Sequence, residues 1–175
     1  DASVALINPC GKLAITIPSH VGQQPVYYNQ VRGQHGTRYA DLTQEPAFPF
    51  GFGLGYSRFE YSEPRLEADR LAAGDTLRLS VKVSNAGTRD GVEIVQLYVE
   101  AEVTSTTWAM RELVCFSRVA IAAGETKNVA LEVTVSELWI IDADCRRVVE
   151  PGSFRALVGP SSRLSDLLAV RFSVE

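Results

Sequence analysis

The residues that could carry out chemistry in this sequence are few and widely separated. Its three cysteines, Cys10, Cys115 and Cys145, form no C-x-x-C pair, and neither of the two histidines is spaced from them as zinc ligands are. The sequence therefore predicts no metal site and no cofactor. Cys115 falls in an apolar strand pattern, which favours a small core residue, and a Cys115–Cys145 disulfide stays open.

Carboxylates are the groups expected for nucleophilic or acid–base catalysis, but the acidic residues here do not converge. Glu93, Glu112 and Glu150 fall on predicted strand surfaces or in turns, where solvated surface charge is the expected state. The glycine-rich run GFGLGY (51–56) lacks the G-x-G-x-x-G spacing and the following helix of a phosphate-binding loop. The sequence therefore predicts no complete catalytic site in this chain.

Two loops carry side chains that are suited to binding hydroxyl-rich ligands. The loop 103–110 holds Trp108, and aromatic faces stack on sugar rings as they cover other apolar surfaces. The segment 30–42 holds Arg38 and Tyr39, together with Arg32 and His35, whose polar groups can hydrogen-bond to hydroxyls. Trp108, Arg38 and Tyr39 are therefore the candidate substrate-binding residues. Packing against their own loop or a neighbouring domain is the alternative explanation for each of them.

Composition and charge exclude several classes of function. The 175 residues have a formal net charge of −4, and the 17 basic residues are scattered, whereas nucleic-acid binding needs clustered Lys and Arg. No apolar run approaches the roughly 20 residues of a membrane-spanning helix. The opening DASVALINPCG lacks the basic region and long apolar stretch of a signal peptide. The sequence predicts neither nucleic-acid nor membrane partners, and the compartment stays open between secreted or periplasmic and cytoplasmic.

The elements that position these residues are predicted to be β-strands. From residue 65 onward, period-2 alternation recurs between turn signals, as in TLRLSVKV (76–83). VEIVQLYVEA (92–101) has apolar residues on both faces, which predicts a central strand or a second covered face. RELVCFSRVAI (111–121) breaks strict alternation, which predicts a bulge. Further strands are predicted at NVALEVTV (128–135), SFRALVG (153–159) and LLAVRFSV (167–174), with a short hairpin over 139–149.

The predicted fold class is all-β. About seven strands in roughly 110 residues fit an antiparallel β-sandwich of the immunoglobulin or fibronectin-III-like kind. One helical turn is predicted at 136–138, with Ser136 as its cap. Residues 1–64 are different, because they are rich in Gly, Pro and aromatic residues and lack sustained periodicity. There LAITIP (13–18) predicts one short strand, and 19–57 predict a long irregular stretch of the kind that lies against another surface.

Three stretches of the sequence resemble family 3 glycoside hydrolases, which include β-glucosidases and β-xylosidases. The first is NPCGKLAITIPSHVGQQPVYYN (8–29), similar to the last strand of that family's α/β-sandwich domain and the chain leaving it. The second, RYADLTQEPAFPFGFGLGYSRFEY (38–61), looks like the entry into the family's fibronectin-III-like domain, and its PFGFGLGY run is the most specific motif. The third comprises GVEIVQLYVEAE, RELVCFSRVAIAAGETKNVALEV and VVEPGSFRALVG, which are similar to the body of that domain.

The resemblance implies a division of the chain and a role. Residues 1–29 would be the tail of an upstream α/β-sandwich domain, 30–57 a connector and 58–175 the fibronectin-III-like domain. The family's retaining mechanism uses a carboxylate nucleophile and a carboxylic acid, and both lie upstream of the stretch that matches this chain. No catalytic residue is therefore expected here. Alternating glycines and aromatic rings in the connector favour packing on a neighbour, so the expected domain-interface residues are Phe48, Phe50, Phe52 and Tyr56.

The sequence leads to one main hypothesis and one alternative. In the first, the chain is the non-catalytic C-terminal domain of a retaining β-glycosidase and stabilises and flanks the upstream catalytic domains, which are its partners. In the alternative, it is an independent immunoglobulin-like module that binds an oligosaccharide or a protein, since the fold alone does not decide function. The exposed connector also predicts self-association of the isolated chain. Sugar, linkage and oligomeric state stay undetermined.

Overall fold

The structure is a computed structural model that describes residues 7–31 and 43–175. Single turns of 3-10 helix lie at Val21–Gln23, Val135–Glu137 and Leu164–Asp166, and none of the helices in the described ranges is long and apolar enough to cross a membrane. The strands are β1 (Phe59–Leu66), β2 (Arg70–Leu71), β3 (Thr76–Asn85), β4 (Gly91–Ala101), β5 (Glu112–Ile121), β6 (Thr126–Thr134), β7 (Ile140–Ile141), β8 (Arg147–Val148), β9 (Gly152–Gly159) and β10 (Leu168–Val174).

These strands build two sheets that enclose one apolar core. One sheet has the order β1-β3-β6 and is antiparallel; the other has the order β2-β10-β9-β4-β5, in which β2 runs parallel to β10 and the other pairs are antiparallel. β7 and β8 form a separate short hairpin. The predicted all-β class and the predicted sandwich are confirmed.

The core follows the alternation of the sequence. The alternating apolar residues of β3 are at most 2% exposed, and they share one buried cluster with those of β4, β6, β9 and β10. Full burial of one such aliphatic side chain is worth about 1.5–3 kcal/mol. The residues of β3 and β4 that point into this core are Leu77, Leu79, Val81, Val83, Val95, Leu97 and Val99.

β4 and β5 show two features that the sequence predicts, burial of β4 on both faces and a bulge in β5. β4 lies between β9 and β5, and most of its residues on both faces are buried. On β5, Cys115 pairs with Leu97 and Leu113 pairs with Tyr98, so Val114 is the extra residue of a bulge. Cys115 is half-buried against the core.

Two local predictions are wrong, and the open question of a disulfide is answered. Residues 13–18 do not form a strand, because Ile17 makes only an isolated bridge to Phe48 and has no further ladder. Ser136 lies inside the 3-10 turn rather than at its cap; Thr134 holds the cap position and makes no side-chain hydrogen bond there. The three cysteines are free, so Cys115 and Cys145 do not pair.

The described residues ahead of β1, 7–31 and 43–57, form what we call the lead-in segment. Two of its stretches, 8–17 and 48–56, lie side by side as a ribbon. Ile17 and Phe48 exchange backbone hydrogen bonds of 2.8 and 3.2 Å, and Leu13 accepts from Gly51 and donates to Phe52, each at 2.8 Å. The lead-in segment has no sheet of its own, so its position depends on what it packs against.

Candidate functional site

The outer face of β4 carries a row of buried polar side chains. Gln96, Tyr98 and Glu100 are at most 8% exposed. Gln96 donates from Nε2 to the carbonyl of Gly51 at 3.1 Å and to that of Pro160 at 2.6 Å, and its Oε1 accepts from the Tyr98 hydroxyl at 2.6 Å. Since buried polar groups need partners, this row fixes where the ribbon lies on the sheet.

The ribbon lies directly against the sheet at Gly51. Its φ of +77° is a conformation that residues with a Cβ resist, and a Cβ at this position would overlap Oε1 of Gln96. The preceding Phe50 stacks on Tyr28 with ring centroids 4.2 Å apart, and its carbonyl accepts from the Ser162 N–H at 2.9 Å. The glycine-aromatic run therefore packs on the chain's own sandwich through one side.

A buried ion pair is a second anchor of the ribbon. Lys12 Nζ lies 2.8 Å from Glu93 Oε1, and the two side chains are 14% and 6% exposed. The Tyr61 hydroxyl donates to the same Glu93 oxygen at 3.1 Å. Burial, and secondarily the negative charge of Glu93, raise the pKa of Tyr61 well above its usual value. The expectation that Glu93 is solvated surface charge is wrong, because the lead-in segment covers it.

A cleft of about 230 Å³ lies between the lead-in segment and the sandwich. Arg111 forms part of its wall and is only 9% exposed; its Nη1 donates to the Ser162 carbonyl at 2.9 Å, while its Nε is buried without a hydrogen-bond partner. Burial lowers the pKa of Arg111, and the Glu100 carboxylate opposes that effect. A shielded N–H without a partner is unusual in a protein interior. Tyr27, Tyr28 and Glu45 are also in the wall.

The other side of the lead-in segment exposes apolar side chains. Of the ten large apolar side chains that are exposed in the described ranges, seven belong to this segment. We call these seven the exposed apolar set; their exposed fractions run from 43% to 75%, and they are Ile7, Ile15, Val21, Tyr27, Phe48, Leu54 and Tyr56. Such a concentration is typical of a surface that contacts another folded body.

Trp108 lies half-buried in the loop before β5. Its Nε1 donates to Glu112 at 2.9 Å, and its ring meets the edge of Trp139 at a centroid distance of 5.9 Å. The Arg147 guanidinium lies 4.3 Å from the centroid of the Trp139 ring. The nearby Glu150 accepts from the Ser105 backbone and hydroxyl. Glu112 and Glu150 are thus half-buried, and each is hydrogen-bonded to this loop.

The predicted site residues therefore have separate locations. Arg38 and Tyr39, with Arg32 and His35, lie outside the described residues. Of the four predicted interface residues, Phe48 and Tyr56 are exposed and Phe50 and Phe52 are half-buried; their role stays a prediction, as do the domain boundaries at 29 and 57. The described residues contain no group of three or more His, Cys, Asp or Glu side chains that could hold a metal ion.

Sequence reasoning missed the residues that hold the lead-in segment, above all Gln96, Glu93, Lys12 and Arg111. Each is a polar residue at an alternating strand position or in a loop, where exposure is the ordinary expectation. The available signal was the second apolar face of β4, formed by Ile94 and Tyr98. A strand that is covered on both faces requires its polar residues to find partners in the covering chain.

Comparison with known proteins agrees with this architecture. Residues 93–162 match the family model of the fibronectin type III-like domain. The chain is 40% identical to a β-xylosidase of Formosa agariphila over 97% of its length, and 30% identical to a periplasmic β-glucosidase of Salmonella typhimurium over 89%. It spans only 24% and 22% of those two proteins.

Solved structures give the same result. A β-glucosidase involved in saponin metabolism from intestinal bacteria superposes with a TM-score of 0.93 at 51% identity, over 98% of this chain and 23% of that one. A β-glucosidase of Listeria innocua in complex with glucose superposes with a TM-score of 0.87 at 34% identity, over 97% and 25%. The expected resemblance to the C-terminal part of family 3 glycoside hydrolases is confirmed: the chain contains a fibronectin type III-like domain and is homologous, lead-in segment included, to about a quarter of the β-glucosidases and β-xylosidases of that family.

Proposed function

We propose that this chain is the non-catalytic C-terminal domain of a larger retaining β-glycosidase, in which it stabilises and flanks the catalytic domains. The observation that carries the proposal is the extent of the similarity: nearly the whole chain matches, but only about a quarter of each relative is matched. The hydrolysis of O-glycosidic bonds would then belong to the whole enzyme. Its nucleophile and its acid/base would lie in the part that precedes this chain.

The exposed apolar set supports a specific contact within that enzyme. One side of the ribbon packs on the sandwich through Phe50 and Gly51, while Leu54 and Tyr56 are 73% and 52% exposed. We propose that the upstream part of the same polypeptide covers this set, except for Tyr27, which lines the cleft beside Arg111, together with the half-buried Phe52. Burial of one leucine against such a neighbour is worth about 1.5–3 kcal/mol. In the isolated chain the same residues would favour self-association.

The contact can be tested by substituting an exposed residue in two contexts. Leu54→Asp should change the free energy of unfolding of the isolated chain by less than about 0.5 kcal/mol, since Leu54 is already exposed. In the longer polypeptide it should cost more than about 2 kcal/mol, because it places a charge in a dry interface. Val103→Asp is the matched control, since Val103 is 83% exposed and outside the lead-in segment. An equal effect of Leu54→Asp in both contexts would refute the proposed contact.

A second candidate function is carbohydrate binding through Trp108. The observation that favours it is the meeting of two half-buried tryptophan rings, Trp108 and Trp139, beside the charged Arg147. Arg38 and Tyr39 would be further binding residues. Calorimetric titration with cello- and xylo-oligosaccharides tests this function. Saturable heat that Trp108→Ala abolishes would support it, and absence of heat at millimolar ligand would refute it.

A further inference from the structure

The cleft beside Arg111 has the features of a binding site that the proposed function does not use. Arg111 is the residue immediately before β5, and it is almost completely buried with an unsatisfied Nε. The cleft has about 230 Å³ of space, below the 300–1,000 Å³ of sites for drug-sized ligands, which suits a ligand of about a dozen heavy atoms. The site therefore combines a preformed cavity with a buried donor that lacks an acceptor.

The charge of the wall favours an anion. Among the described residues that line the cleft, Arg111 and Arg163 are positive and Glu45 is negative, although the whole chain has a net charge of −4. Arg163 is compensated only weakly, because its distance to the Asp166 carboxylate is 3.9 Å. The nearby Arg155 already has its own carboxylate partner, Glu100, at 2.6 Å. Arg111 is the buried positive charge of the wall, and the carboxylates that act on it are those of Glu100 and Glu45.

The shape of the free guanidinium edge selects the kind of anion. Arg111 uses Nη1 for the Ser162 carbonyl, and its Nε, which shares the opposite edge of the planar guanidinium with Nη2, has no hydrogen-bond partner. Two parallel N–H groups on this edge match the two oxygens of a carboxylate. Tyr27 and Gln30 in the same wall can contact a ring and its hydroxyls.

The wall opposite Arg111 is held in place by a buried glutamine. Gln23 is 4% exposed, and its Nε2 donates to the Thr43 carbonyl at 2.7 Å while its Oε1 accepts from the Ser19 N–H at 2.6 Å. This clasp connects the 3-10 turn at 21–23 to the strip that carries Glu45. A wall that is fixed before binding lowers the entropic cost of taking up a ligand.

We propose that the Arg111 cleft binds the carboxylate of a small acidic ligand of monosaccharide size, such as a sugar acid. The carboxylate accepts from the Nε and Nη2 groups of Arg111, and the tyrosine and glutamine side chains contact the remainder of the ligand. Since Nε is shielded from solvent, binding must shift the side chains around Arg111, and this shift gives the experiment its readout. The proposal is independent of the role of the chain in a glycosidase.

The test is a titration of the ¹⁵N-labelled chain, observed at the arginine Nε–Hε signals by NMR at constant ionic strength. Sodium glucuronate should shift the Arg111 signal saturably, whereas glucose at the same concentrations should not. Acetate separates two sources of affinity: a shift with acetate shows that the carboxylate suffices, and a shift with glucuronate alone shows that the ring contributes. An unmoved Arg111 signal with both acids, or an equal shift with glucose, overturns the proposal.

Variants of Arg111 give a second readout by calorimetry. Arg111→Gln should weaken glucuronate binding about tenfold or more, as expected for loss of a charge-assisted hydrogen bond. Arg111→Lys keeps the charge but loses the planar edge, so it should also weaken binding. Arg70→Gln is the matched control and should not change it, since the Arg70 side chain is 77% exposed. Unchanged affinity in Arg111→Gln overturns the proposal; if that variant does not fold, the wild-type NMR titration decides.

Discussion

The substitution Gly51→Ala should detach the lead-in segment from the sandwich. Gly51 has a φ of +77°, and an added Cβ would collide with Oε1 of Gln96, which is 2% exposed and held by three hydrogen bonds. To relieve the collision, either the ribbon lifts away from β4 or Gln96 leaves its three hydrogen-bond partners. The perturbation is one methyl group, but it acts where the ribbon is hydrogen-bonded directly to the buried Gln96.

The expected cost has two parts. Placing alanine in the left-handed region costs about 1–2 kcal/mol. Displacing Gln96 breaks hydrogen bonds to Gly51, Pro160 and Tyr98, each worth about 1 kcal/mol. Together they predict a loss of about 4–5 kcal/mol in the free energy that holds the lead-in segment on the sandwich.

Gly124→Ala is a matched control for the backbone part of that cost. Gly124 has a φ of +74°, and a Cβ there would meet no atom within 4 Å, so only the conformational cost of about 1–2 kcal/mol applies. The amides of Leu13 and Ser162 donate to Phe52 and Phe50 of the ribbon. Hydrogen–deuterium exchange of these two amides should be faster in Gly51→Ala but not in Gly124→Ala. Equal urea-unfolding free energies and unchanged exchange in the two variants would show that a Cβ at Gly51 does not displace Gln96 or the ribbon.

Three further predictions concern the anchors of the lead-in segment and its docking. Lys12→Met should destabilise the chain by about 3 kcal/mol in urea unfolding, because it leaves Glu93 buried and unpaired. The double variant Lys12→Met/Glu93→Gln should recover part of this loss. An unchanged free energy of unfolding in Lys12→Met would show that the pair is solvated. Burial raises the pKa of Tyr61 and of Tyr98, so above about pH 10 these tyrosines ionise only in the unfolded chain. The free energy of unfolding should therefore fall by about 1.4 kcal/mol per pH unit for each buried tyrosine. This stability is complete below the unfolded pKa near 10, and Tyr61→Phe should reduce the alkaline slope measured by urea unfolding; an unchanged slope would contradict the assignment. Sedimentation of the isolated chain should show self-association that Leu54→Asp reduces and Val103→Asp does not; a monomer at all concentrations would contradict it.

The sandwich was predictable because its pattern is local. Alternation in β3 identifies Leu77, Leu79, Val81 and Val83 as one buried stripe, and the broken alternation in β5 identifies the bulge at Val114. These signals depend on the spacing of residues within one strand. They need no knowledge of what lies across the sheet.

The position of the lead-in segment was not predictable in this way. LAITIP has the composition of a strand, but only Ile17 forms a β-bridge. Its partner Phe48, like the residues that bond to Leu13, lies in the same irregular segment. Glu93 and Gln96 are polar residues on a strand, and their burial depends on a chain that comes from more than 40 residues away. Such contacts depend on tertiary packing, which overrides local preference.

The central claim is that this chain belongs to a glycosidase without carrying the catalytic groups. The most direct measurement is the turnover of aryl β-glucosides and aryl β-xylosides by the purified chain. We expect no hydrolysis above the buffer rate. Turnover near the 1–10³ s⁻¹ typical of enzymes, lost on replacement of an acidic residue of this chain, would contradict it.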